Sequence, residues 1–321
     1  MNYNFRHFIA ITLGLFIIVT ACKKNTSNKT TCTSTLHAYT AVMNPIYTGL
    51  DTCSQGIINM ATGSIATAGS FLSIIYFTNQ AAFNTSDNCY YIFKSVNYGI
   101  GSISASALYK INAAGTATIL TPPDTFGYSS IAYNSATNKL YCNRNGSLAE
   151  ITIGASSYTA TNLVAPIHPF ARQLYSPGNI TVDNATGDMY YATGDTSNYY
   201  IEKYHPGTTT STVVASGTNG YILELRFNKN DNMLYAIKAH EQISFDFIKI
   251  NPTAGTTTTV VVLGLPFNVD MYSATLDPCS DHYILSTIPS LNLFVVYQLN
   301  MAGAIVHTDT TATFYQGLVA Y

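Results

Sequence analysis

Phe83-Asn84-Thr85-Ser86-Asp87-Asn88-Cys89-Tyr90-Tyr91 carries the pattern that decides the fold. An apolar residue runs into Asn or Asp, a short polar turn follows, and an apolar residue with Tyr opens a new run. The phrase returns as Tyr133-Asn134 to Leu140-Tyr141, Val182-Asp183 to Met189-Tyr190, Phe227-Asn228 to Leu234-Tyr235 and Leu276-Asp277 to Tyr283-Ile284. Successive Asn/Asp positions lie 50, 49, 45 and 49 residues apart, a period that predicts a repeat architecture rather than one irregular core.

Each repeat reads as four short strands. In the fourth, Leu223 to Phe227 alternates as a first strand and Asn228 to Asn232 forms the turn, where Asn and Asp side chains bond their own backbone. Met233 to Ile237, Phe245 to Ile250 and Thr256 to Leu263 supply the other three strands. No stretch sustains a helical period. Four-stranded units of this length predict an all-β propeller with blades at about 79–120, 128–165, 178–216, 222–264 and 271–309. Residues 314–321 look like a first strand with no successors, and residues 33–62 like later strands (33–40, 46–51 and 57–61) with no first strand. A six-bladed ring follows, closed by pairing the C-terminal strand with the N-terminal blade, which leaves no open edge in the ring. The repeat resembles the bacterial propellers of the Tyr-Val-Thr-Asn and NHL-like group, a likeness that implies fold far more than function.

The N-terminus suggests an address. Arg6 and His7 precede an apolar run from Phe8 to Ala21, shorter than the roughly 20 residues that span a bilayer, so residues 1–21 read as a signal peptide. Val19-Thr20-Ala21-Cys22 resembles the lipobox of bacterial lipoproteins, which implies acylation of Cys22 and anchoring in the cell envelope, outer membrane foremost. An ordinary cleaved signal peptide is the alternative. Residues 22–31 form a polar tether too poor in apolar groups to pack, and the propeller is expected over 32–321.

Charged residues make up 9% of the chain and the net charge is -2, which excludes a basic field for nucleic acid. Tyr numbers 25, and Tyr-rich, charge-poor surfaces suit protein or glycan contacts. Nothing in the chain asks for an oligomer, so a monomer is expected.

Candidate chemistry is sparse. Cys32 and Cys53 would face each other if residues 33–51 formed a hairpin centred between Val42 and Met43, giving a disulfide; two unpaired thiols are the alternative. Cys142 reads as core, and Cys89 and Cys279 are not paired with each other. No C-x-x-C, G-x-S-x-G, H-E-x-x-H or P-loop pattern occurs. The large polar side chains collect in the loops that lead into first strands and join second to third strands. His168, Arg172, Glu224, Arg226, His240, Asp270 and Tyr272 are therefore candidates for a ligand site at one mouth of the channel. The plainer reading pairs Glu224 with Arg226 and leaves the loops solvated. Ser176-Pro177-Gly178-Asn179 faintly resembles the Pro-Asn motif of gluconolactonase-like propellers, which implies a divalent metal and lactone hydrolysis, with Asp270 the candidate for a further ligand. Three functions stay open: a protein- or glycan-binding module needing no cofactor, a metal-dependent hydrolase or lactonase, and an envelope scaffold. The residues point to binding rather than catalysis.

Overall fold

The computed structural model describes residues 35–41, 51–59, 65–73, 77–96, 105–121, 127–144, 146–168, 180–194, 197–240, 244–263, 272–290, 293–311 and 314–321. Every regular element among them is a β-strand. Five four-stranded antiparallel sheets each come from one continuous stretch, starting at the inner strands Phe77–Asn84, Tyr128–Asn134, Ile180–Val182, Tyr221–Asn228 and Tyr272–Asp277. We number these blades one to five. A further four-stranded sheet, blade six, is composite: Phe314–Ala320 is its inner strand, followed outward by Leu36–Ala41, Asp51–Ile58 and Ile65–Ser73. The inner strands pack in chain order from blade one to blade six, and blade six packs back against blade one.

The repeated phrase folds the same way each time. Asn84, Asn134, Asp183, Asn228 and Asp277 each accept, at 2.9–3.0 Å, a hydrogen bond from the backbone N–H two residues on. Four residues after each stands a residue in the left-handed region: Asn88, Asn138, Gly187, Asn232 and Asp281, with φ of 53, 56, 78, 57 and 56°. Asn, Asp and Gly are the residues that enter this region at least cost, so the sequence selects a tight reversal between first and second strands. Tyr91 and Tyr235 then donate their phenols to Asp87 at 2.6 Å and Asp231 at 2.8 Å, fastening the buried second strand to its own turn. This explains the Tyr-rich composition: each ring fills the space between blades while its oxygen meets a partner at the rim.

Burial falls from axis to perimeter. The inner strand Tyr221–Asn228 is largely buried on both faces because blades flank it on both sides, whereas the outermost Thr256–Leu263 is mostly exposed. Thr and Val fill such outer strands, where β-branching favours the extended backbone.

Two expectations need correction in blade six. The third and fourth strands run over Asp51–Ile58 and Ile65–Ser73, not 46–51 and 57–61. No Asn/Asp phrase punctuates that stretch, so its strand ends were misplaced. The register pairs Ala41 with Cys53 and His37 with Ile57, so Cys53 stands opposite Ala41, not where a hairpin centred between Val42 and Met43 would put it. The spacing argument for a Cys32–Cys53 bridge therefore lapses, and Cys32 lies outside the described residues. Cys279 is disulfide-bonded, a bond the sequence did not reveal. Cys89 and Cys142 are buried thiols outside any disulfide. Cys22 and the whole of 1–31 also lie outside the described residues.

Deleting residues 314–321 removes the inner strand of blade six and exposes both the edge of Leu36–Ala41 and the flanks of blades one and five. The truncated protein is expected to lose its single cooperative thermal transition, and a calorimetric profile that matches the full chain would refute the closed ring.

Candidate functional site

An inner strand has one edge paired and the other turned to the central channel, where its N–H and C=O groups lack a strand partner. In blades three, four and five, side chains two or four residues before the turn Asn/Asp reach onto the following blade and supply missing partners. Ser273 Oγ accepts from Leu318 N at 3.0 Å, Thr275 Oγ1 from Ala320 N at 3.1 Å, and Thr181 Oγ1 from Phe227 N at 2.9 Å. Gln80 reaches past blade two. Its amide accepts from Ile180 N at 3.2 Å and donates to Ile180 O, so it crosses the channel.

Blade four fills these two positions with Glu224 and Arg226. Glu224 stands at φ 50°, at a register shift between Leu223 and Arg226 that turns its side chain toward blade five. Its Oε2 accepts from Ala274 N at 3.0 Å and from Arg226 Nη2 at 2.6 Å. Arg226 also donates through Nε to Ala274 O at 3.0 Å, through Nη2 to the same oxygen, and through Nη1 to Leu225 O at 2.7 Å. Glu224 is 0% exposed and its Oε1 has no hydrogen-bond partner. Burial outweighs Arg226 and the Ala274 amide, and pushes the Glu224 carboxyl up to about 7.

At the end of the channel where first strands turn into second strands, a pocket of about 440 Å³ opens. Its wall is the apolar layer of inner-strand residues one and three before the turn, among them Phe83, Ile131, Tyr133, Ile180, Phe227 and Leu276, with Gln80, Thr181 and Arg226 at depth. Thr85, Ser135, Asn184 and Lys229, from the turns themselves, form a polar rim. Tyr321 stacks on Phe83 with centroids 3.7 Å apart at 7°, and Phe227 on Tyr190 at 5.7 Å and 6°. The result is an apolar throat with an aromatic lip.

Among the residues singled out in the sequence, the structure brings Glu224 and Arg226 together, as the plainer reading had it. It does not bring the two histidines to them. The His168 ring stacks on Tyr200 at 3.5 Å, and the amides of Ile167 and His168 donate to Glu202 at 3.0 Å each. Glu202 also accepts from Tyr191, Thr193 and Ser211; burial opposes its ionisation, but these donors hold it below the usual carboxylate range. His240 pairs with Asp246 at 2.9 Å on blade four. Tyr272 begins the inner strand of blade five, opposite Thr287. Arg172, Asn179 and Asp270 lie outside the described residues, and among the described residues no His, Cys, Asp or Glu cluster could hold a metal. The pocket opens at the opposite end of the channel from the loops in which a site was sought. Its lip was nonetheless legible, because the residue before each repeated Asn/Asp (Phe83, Tyr133, Val182, Phe227, Leu276) is the one that lines it.

No protein-family model matches the chain, and no curated protein matches it. Solved structures are similar in fold. TolB from Acinetobacter baumannii superposes with a TM-score of 0.62 at 10% identity, over 89% of this chain and 66% of that one. A nidogen/laminin complex gives a TM-score of 0.60 at 13% identity over 90% and 98%. The periplasmic gluconolactonase PpgL of Pseudomonas aeruginosa gives 0.56 at 9% identity over 90% and 99%. At these identities the likeness establishes the propeller fold alone.

The raised carboxyl of Glu224 makes a signed forecast. Because its folded-state value of about 7 lies above the ordinary 4.5, its protonated form favours the folded state, and stability is lost as pH rises from about 4.5 through 7. The loss is on the order of 3 kcal/mol. Chemical denaturation at pH 5, 6, 7 and 8 is expected to show Glu224→Gln gaining on the native protein across that window. A difference that stays constant with pH would show that the carboxyl is ionised throughout.

Proposed function

We propose that this chain is a six-bladed, lipid-anchored propeller of the cell envelope that binds a glycan or a protein segment in the throat at its turn face. The throat itself carries the reading. It is concave, has an apolar wall and aromatic lip, and is ringed by hydroxyl, amide and ammonium groups, the combination that recognises a partially polar ligand. Its few fully buried polar groups are occupied in holding blades together, which suits a rigid binding surface. The anchor rests on the Cys22 motif, and the TolB and PpgL folds are compatible with an envelope address.

Ligand capture tests the throat. Binding to a glycan array and to envelope extract is expected to fall at least tenfold in a Tyr133→Ala/Phe227→Ala variant that keeps its thermal transition. Undiminished binding would place the site elsewhere. The rival lactonase reading is favoured by the PpgL fold and by solved structures described as putative 6-phosphogluconolactonases. It is checked by following glucono-1,5-lactone hydrolysis with and without divalent metal, where turnover above the spontaneous rate would replace binding by catalysis. Cys22→Ser is expected to release the protein from the membrane fraction; retention of an unacylated variant would remove the anchor from this proposal.

A further inference from the structure

Arg226 offers five N–H donors in a fixed fork. Four are committed: Nε and one N–H of Nη2 to Ala274 O, the other N–H of Nη2 to Glu224, and one N–H of Nη1 to Leu225 O. The fifth, on Nη1, has no acceptor among the described residues. Arg226 is only 8% exposed, yet it lines the throat. Three residues on, Lys229 stands exposed on the same rim and makes no hydrogen bond or ion pair among the described residues. The carboxylate in the lining, Asp183, accepts from Ala185 N at 2.9 Å and Thr186 Oγ1 at 2.8 Å within its own turn, so its charge offsets one of these cations and the other is left in excess. The throat therefore presents an excess cation and one spare, nearly buried donor to whatever enters it.

We propose that the throat recognises a sugar ring bearing an oxyanion, the anion docking on Arg226 and Lys229 and the ring lying on the aromatic lip. This rests on the reading of the throat as the binding site. A cationic ligand would meet like charge there, and a neutral one could accept from the fifth donor but would leave the Lys229 charge uncompensated. The negative faces of Tyr133 and Phe227 attract the weakly positive C–H face of a pyranose. Glu224, behind Arg226, shares the guanidinium with the incoming anion. The charged or titratable side chains about it are Arg226 and the Tyr283 phenol, which donates to the Glu224 carbonyl. A ligand anion that draws on Arg226 thus favours a protonated Glu224, and binding takes up a proton.

Ligand-observed NMR titration of the full-length protein with D-glucuronate, D-glucose and inorganic phosphate separates the contributions. Glucuronate is expected to bind at least tenfold more tightly than either of the others, and severalfold more tightly at pH 6 than at pH 8. Arg226→Lys should remove the preference for glucuronate, Lys229→Ala should weaken it about threefold without affecting folding, and Glu224→Gln should abolish the pH dependence. Glucose binding as well as glucuronate would refute charge recognition while leaving the throat as a binding site. Phosphate binding as well would refute recognition of the ring. Glucuronate binding that survives Tyr133→Ala together with Lys229→Ala would remove both this inference and the throat, and no binding by any probe would overturn the inference.

Discussion

The free edge of each inner strand is the constraint on which the molecule depends. A blade packed side by side with its neighbours can bury its faces, but its innermost backbone groups look into a channel with no strand to pair them. Leaving a buried N–H unmet costs about 1–3 kcal/mol, and a ring multiplies that cost blade by blade. The hydroxyl oxygens of Thr181, Ser273 and Thr275 meet it by accepting from backbone N–H groups of the next blade. The same bonds fix the angular step between blades, so satisfying the edge and closing the ring are one event.

That coupling sets where a site can form. In blades three to five the side chains two or four positions before the turn are engaged in capping, and in blades one and two the residue two before it is alanine, so the layer that faces the channel is largely apolar. The channel is consequently greasy rather than charged, and Gln80 crosses it at depth. Polar variety enters only at the turns, where Asn184, Lys229 and Ser135 sit one residue beyond the structural Asn/Asp. The mouth of the pocket is thus composed by a few turn residues on a lip the repeat itself dictates.

The parts of this arrangement that the sequence disclosed are those that recur. The Asn/Asp turn, the left-handed residue four places later and the apolar layer could be read because five copies stand in register, as Asn84-to-Asn88 and Asn228-to-Asn232 show. Blade six was misjudged internally because residues 42–64 carry no such phrase, and alternation alone tolerates a slip in strand ends. The functional residues were sought among rare charged side chains, a signal that led to His168 and His240. Both are held by a neighbouring carboxylate, Glu202 or Asp246, which no local spacing announces. The lip could have been found from the register of the repeat, since a common offset places all of its members.

Blade four departs from this economy. At its seam with blade five the capping is done by a carboxylate and a guanidinium, although a hydroxyl suffices between blades five and six. Capping alone does not require charge. A buried ion pair is costly to desolvate, and neutral groups of similar size often serve stability as well or better. Among the described residues the pair is also incompletely satisfied, with Glu224 Oε1 lacking a donor and one Arg226 N–H lacking an acceptor. Stability gives no reason to place such a pair at this seam, whereas a guanidinium held rigidly in the wall of the throat, with its counter-charge behind it, is what discrimination among ligands requires.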